Sequence, residues 1–179
     1  MKGQKNWYAL KVFYNKVHYF KEIIENDGVE TYIAIQEGKL LVPSLMFIKS
    51  SEDYLKSLRD NHVKEFTYYK RARYKINQTV NQLNSQSTLV FVPAVIPDDQ
   101  MEIFKRATAE GVRYLGEIET LNLKPGDRVR VTEGPFKGQV GFLKRIKKDR
   151  KFIITIGNIA AFTIEGITYK MVEKINDKE

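Results

Sequence analysis

The chain has no cysteine in its 179 residues, which excludes disulfides, thiol nucleophiles and cysteine-ligated zinc. Histidine is almost as scarce: His18 and His62 stand alone, without neighbours at metal-ligand spacing. Both read as structural, His18 on a helix and His62 at a helix end, and no metal site is expected. No apolar run approaches the roughly 20 residues that span a bilayer. Met1-Lys-Gly-Gln-Lys-Asn also lacks the apolar core of a secretion signal, so a cytoplasmic protein without membrane contact is expected. Acidic residues are in the minority, 22 against 30 Lys and Arg, and the net charge of +8 favours a polyanionic neighbour such as nucleic acid or a ribonucleoprotein. With 42% hydrophobic residues the chain can still build one or two small cores.

The most informative stretch is Leu123-Lys-Pro-Gly-Asp-Arg-Val-Arg-Val-Thr-Glu-Gly-Pro-Phe-Lys-Gly-Gln-Val-Gly-Phe142. Pro125 and Gly126 mark a turn, with Asp127 after them. Val129 and Val131 then alternate with Arg128, Arg130 and Thr132 in the two-residue period of a half-buried strand. Gly134-Pro135 breaks that strand, Phe136 offers an apolar plug, and Gly138 and Gly141 permit a bend or close approach in the next. Further short strands are expected at 143–146, 151–156, 160–164 and 171–175, with turn signals at Gly157-Asn158 and Glu165-Gly166. Five such strands fit a small SH3-like barrel.

Upstream, Trp7 to Phe13 is rich in aromatic and β-branched residues and predicts a first strand. Val17, Phe20 and Ile24 share a helical face over 16–27, with Asn15 as cap and Gly28 as stop. Strands follow at 30–35 and 40–49, the second interrupted by Pro43, then a short helix capped by Ser51 and a strand over 63–69. The order β-α-β-β-α-β predicts a ferredoxin-like antiparallel sheet with both helices on one face, leaving the other face in need of cover. Residues 70–88 predict a protruding hairpin or mobile loop, 89–92 a strand, and Pro97-Asp98 open a helix buried through Met101, Phe104 and Ala107 and ended by Gly111.

Two basic clusters stand out. Lys70, Arg71, Arg73 and Lys75 are interleaved with Tyr68, Tyr69 and Tyr74, combining charge with stacking surface for nucleic acid. Lys144, Arg145, Lys147, Lys148, Arg150 and Lys151 crowd one turn, where a solvated hairpin competes with contact to RNA, DNA or a protein. Catalysis finds no support. Gly134 to Gly138 lacks the spacing and Lys-Ser/Thr ending of a phosphate loop, and Asp98, Asp99 and Glu102 sit where acids favour a helix start. Neither enzymatic activity nor a cofactor is expected.

Trp7-Tyr8, Pro43-Ser-Leu-Met-Phe-Ile48 and Lys124-Pro-Gly-Asp-Arg-Val-Arg-Val-Thr-Glu-Gly-Pro-Phe136, with Val172-Glu-Lys174 at the end, resemble NusG-type transcription elongation factors. The resemblance implies an α+β chain: a ferredoxin-like NGN domain at 1–110 with an insertion at 70–88, a linker at 111–123, and an SH3-like KOW domain at 124–179. It implies docking on the clamp helices of RNA polymerase through Tyr8, Lys11, Val42, Leu45 and Phe47. Gly126, Asp127, Gly134, Phe136 and Gly138 carry the KOW motif, which in such proteins engages a ribosomal protein or a termination factor. Lys70, Arg71, Arg73, Tyr74 and Lys75 fall to nucleic acid of the transcription complex.

Two departures point to a specialised paralogue. Housekeeping members carry Pro-Gly-Tyr where this chain has Pro43-Ser44-Leu45, and the ribosome-facing loop here reads Gly157-Asn-Ile-Ala160. The pattern is similar to operon-specific antiterminators of the RfaH and UpxY kind, the latter acting on capsular polysaccharide operons. RfaH-like members can hold the last domain as a helical hairpin. The β-branched runs at 153–156 and 164–168 predict strands here instead. Taken alone, the KOW stretch also admits a ribosome-associated RNA-binding protein.

Overall fold

The computed structural model describes residues 3–76, 87–117, 124, 127–146, 148–157 and 159–175, side chains excepted at 74–76, 87 and 117. In chain order its elements are β1 (Asn6–Val12), α1 (Val17–Asn26), β2 (Glu30–Tyr32), β3 (Ile35–Gln36), β4 (Lys39–Leu40) and β5 (Leu45–Ser50). Then come α2 (Glu52–Asn61), β6 (Phe66–Tyr68), β7 (Lys70–Ile76), β8 (Ser87–Pro93), β9 (Val95–Ile96), α3 (Asp98–Glu110) and β10 (Val112–Glu117). The chain ends with β11 (Arg128–Val131), β12 (Val140–Ile146), β13 (Asp149–Ile156), β14 (Ala160–Ile164) and β15 (Val172–Lys174). It divides into two compact units: Met1–Tyr32 with Ser44–Ile96, and Ile33–Pro43 with Pro97–Glu179.

The first unit is built on an antiparallel sheet in the order β2-β5-β1-β6, with β9 also paired to β1. Taking β1, α1, β2, β5, α2 and β6 in turn gives the expected β-α-β-β-α-β order. Val17, Phe20 and Ile24 of α1 and Leu55 and Leu58 of α2 form the buried helix faces. Phe20 meets Phe66 of β6 at 5.4 Å between ring centroids and His62 at 5.1 Å. Each such fully buried side chain contributes about 1.5–3 kcal/mol. The Ser51 hydroxyl accepts the Tyr54 backbone N–H at 3.2 Å, the expected cap of α2. No such bond starts α1: Lys16 occupies the cap position without a side-chain bond, and Asn15 lies one residue outside at φ 55°.

β7 and β8 form a separate two-stranded sheet, paired from Lys70↔Pro93 to Ile76↔Ser87. A hairpin is therefore present where residues 70–88 predict a hairpin or loop, while 77–86, the polar run, lie outside the described residues.

The second unit holds a sheet in the order β10-β14-β13-β12-β11-β15. Its strands over 149–164 agree with the β-branched runs, and this segment is strand rather than helix. Two assignments differ from the sequence reading. Helix α3, expected with the first domain, belongs to this unit: Phe104 packs on Phe162 of β14 at 4.5 Å, and Gln100 Oε1 accepts the Gly157 N–H at 2.9 Å. Residues 112–117, expected as linker, form the edge strand β10 on β14, with Tyr114 5.4 Å from Phe162. The apolar stripe of α3 and the alternation Val112, Tyr114 account for both. Buried side chains need a neighbour, and the sheet of the second unit supplies it.

Candidate functional site

Parity along β1 and β5 sorts the residues expected to face a partner. Lys11 pairs with Leu45 and Ala9 with Phe47, so Lys11, Leu45 and Phe47 share a sheet face with Trp7 and Ala9. Tyr8 does not join them. It pairs with Ile48, on the face of Leu10, Val12 and Phe66, and burial raises its phenol above the ordinary range. Val42 is also displaced, because the expected strand over 40–49 is interrupted. Pro43 has no N–H to donate, and Val42 lies in the bend between β4 and β5.

The shared face is closed. Leu45 is 6% and Phe47 1% exposed, Trp7 and Ala9 beside them are buried, and Lys11 is half-buried. The expectation of an open apolar face is corrected here. Its physical cause is legible in retrospect: Trp7-Tyr-Ala-Leu10 and Leu45-Met-Phe-Ile48 are apolar on both parities, the pattern of strands covered on both sides.

The hairpin of β7 and β8 separates the residues of the first basic cluster. Arg71, Arg73 and Lys75 occupy register positions on one face, opposite Val92, Val90 and Thr88. Lys70 and Tyr74 fall on the other face, and the Lys70 ammonium lies 5.4 Å from the centre of the Tyr68 ring. Arg71 and Arg73 are exposed. The side chains of Tyr74 and Lys75 lie outside the described residues. The Lys70 and Tyr74 face also carries Ala72, Leu89 and Phe91, and Phe91 is 66% exposed. The sequence reading missed this exposed Phe91. Its signal is the alternation Leu89, Phe91 against Val90, Val92, with no core element left to cover both sets.

Between β11 and β12, Gly134 and Gly138 take φ of 80° and 85°, conformations that side chains with a Cβ resist. They bend the chain so that the Gly138 N–H donates to Val131 O at 2.7 Å and Val131 N–H to Gln139 O at 2.9 Å. Phe136 is buried as the plug of this loop, with the Arg106 guanidinium 5.1 Å from its ring centre. The Asp127 carboxylate accepts the Lys124 N–H at 3.4 Å, and Asp127 N–H donates to Lys124 O at 3.0 Å. Gly126 lies outside the described residues.

With that geometry in view, residues 125–156 match the KOW motif family. The chain carries a KOW motif. The matched span runs through β11, the loop of Gly134, Phe136 and Gly138, β12 and β13. Among solved structures, the crystal structure of the MjSpt4:Spt5 complex in conformation B matches at 13% identity over 97% of this chain and 99% of that one, with a TM-score of 0.31. Conformation A of the same complex matches at 13% identity over 95% and 98%, with a TM-score of 0.28. No curated protein matches the sequence.

His62 has neighbours of structural kind, and His18 is exposed on α1. His62 Nδ1 lies 3.1 Å from Glu65 Oε2, with the ring edge-on to Phe20. Among the described residues, no group of three or more His, Asp or Glu is placed to hold a metal ion, and no helix is long and apolar enough to cross a membrane.

Proposed function

We propose that the chain is a NusG-type transcription elongation factor that binds RNA polymerase and promotes processive elongation. In this reading the first unit is a ferredoxin-like NGN domain and the second an SH3-like KOW domain. The protein works in the cytoplasm without a cofactor and without catalysing a reaction. The observation that carries it is the order of parts: a β-α-β-β-α-β sheet in the order β2-β5-β1-β6, followed by a KOW motif at 125–156. Operon-specific antitermination, of the kind acting on capsular polysaccharide genes, rests on Pro43-Ser44-Leu45 and Gly157-Asn-Ile-Ala160 in place of the housekeeping residues.

Polymerase docks on the face of Lys11, Leu45 and Phe47. Leu45 and Phe47 are buried in this structure, so docking on the clamp helices requires that this face first be uncovered. Arg71 and Arg73 then reach the nucleic acid of the transcription complex from the β7–β8 hairpin. The KOW domain engages a ribosomal protein or termination factor.

The test is co-purification with core RNA polymerase. Wild-type protein is retained and Lys11→Glu is not, while Lys56→Glu, a surface change on α2, is retained like wild type. Lys11 is the useful position because it is the half-buried, charged member of that face, where Leu45 and Phe47 are core side chains. Retention on ribosomes with no binding to polymerase would overturn the proposal in favour of a ribosome-associated RNA-binding protein.

A further inference from the structure

Across β12 and β13, Arg145 stands directly opposite Arg150, and on the next rung Lys144 stands opposite Lys151. Directly opposed like charges destabilise an antiparallel pair. Two such rungs in succession place one cationic pair on each face of the same hairpin. The Arg145 and Arg150 side chains are joined by Lys174 from β15, and the three line a cavity of about 260 Å³ floored by Val129 and Leu143. Asp127 is the one acid on its wall, leaving the lining two positive charges in excess. Among the described residues, the side chains of Arg145, Arg150 and Lys174 make no ion pair or hydrogen bond, and all three are exposed.

We propose that this cavity is a phosphodiester-binding site through which the second unit holds nucleic acid. The guanidinium groups present forked donors suited to bidentate recognition of phosphate oxygens. The cavity falls below the roughly 300–1,000 Å³ of a small-molecule site, which suits one phosphate group rather than a whole nucleotide. The second pair, Lys144 and Lys151, sits on the opposite face of the same hairpin and adds to the positive field that draws a polyanion towards it. A bound phosphate also relieves the repulsion between Arg145 and Arg150. This site involves neither the sheet face assigned to polymerase nor the β7–β8 hairpin.

The experiment is fluorescence anisotropy of the full chain with short labelled single-stranded RNA, single-stranded DNA of the same sequence and duplex DNA, in the absence of polymerase. Affinity is read across salt from about 50 to 200 mM. Arg145→Gln with Arg150→Gln weakens binding about tenfold or more, and the slope of log affinity against log salt becomes shallower by about 1.4 for single strands. Lys21→Gln with Lys56→Gln removes the same charge from α1 and α2 and changes affinity less than about twofold. Circular dichroism shows both double variants folded. A preference for RNA over DNA assigns the site to a transcript and the reverse assigns it to template or non-template strand; either supports a phosphodiester site. Equal losses in the two double variants, unchanged binding in the arginine variant, or competition by polyglutamate as strong as by RNA would overturn it. Because polymerase is absent, failure here leaves the elongation-factor proposal standing on its own test.

Discussion

The rings of Phe104 and Phe162 lie 4.5 Å apart between centroids, tilted by 41°, and fasten α3 to the sheet that carries the KOW motif. Both are fully buried. Truncation of Phe104 to Ala is expected to cost about 3–5 kcal/mol, from lost burial and the cavity left behind. The double variant with Phe162→Ala recovers a coupling of about 0.5–1.5 kcal/mol for the ring pair. Denaturant unfolding of the four proteins in this cycle checks both values; additive losses would mean that the helix draws no stability from this contact.

Gly141 marks a place where backbone and ring come too close for any side chain. A Cβ there would stand 2.5 Å from Ile153 O and 2.6 Å from a ring carbon of Phe152. Gly141→Ala is expected to destabilise the chain by about 1–3 kcal/mol, the usual cost of overpacking, and its unfolding midpoint in urea reports it. An unchanged midpoint would show that β12 and β13 can separate without loss.

Tyr54 gives the first unit a dependence on alkaline pH. Tyr54 is half-buried, and its Oη donates to Asp27 Oδ2 at 2.7 Å, joining α2 to the end of α1. Burial first, then the hydrogen bond and charge of Asp27, raise the phenol well above its ordinary 10.0. A raised folded-state value means that the stabilisation is fully present below pH 10.0, the value in the unfolded chain, and is lost as pH climbs towards the folded value. Thermal melts above about pH 10 should therefore fall more steeply for wild type than for Tyr54→Phe. Parallel curves would exclude the Tyr54–Asp27 bond as a source of stability.

The hairpin of β7 and β8 predicts a split between its two faces. Arg71→Gln with Arg73→Gln weakens binding of a transcription scaffold and flattens its salt dependence by about one unit per arginine. Phe91→Ser, on the opposite face, leaves the salt slope unchanged. Filter binding over a salt series distinguishes the two variants, and equal slopes would show that charge on this hairpin is not directed at phosphate.

Much of this architecture is legible in the residues. Val17, Phe20 and Ile24 announce α1, Ser51 announces the cap of α2, and Val129 and Val131 announce β11, because periodicity and caps are local. The place of α3 is not local. Met101, Phe104 and Ala107 state that a face is buried without stating against what, and only the sheet of the second unit answers. The face of Tyr8 was readable, since residues three apart on a strand point to opposite sides, so Tyr8 and Lys11 cannot share a surface. The closure of the Leu45 and Phe47 face is written in the unbroken apolar runs of β1 and β5. An α+β chain is evident from either source.

The central claim is that this chain acts on a moving RNA polymerase. Single-round transcription through a leader region with defined pause and termination sites, with and without the protein, tests it most directly. The account predicts shorter pauses and more full-length transcript with wild-type protein, with Lys11→Glu behaving like buffer. Unaltered pausing and termination at protein concentrations that saturate polymerase, or an equal effect from Lys11→Glu, would contradict it.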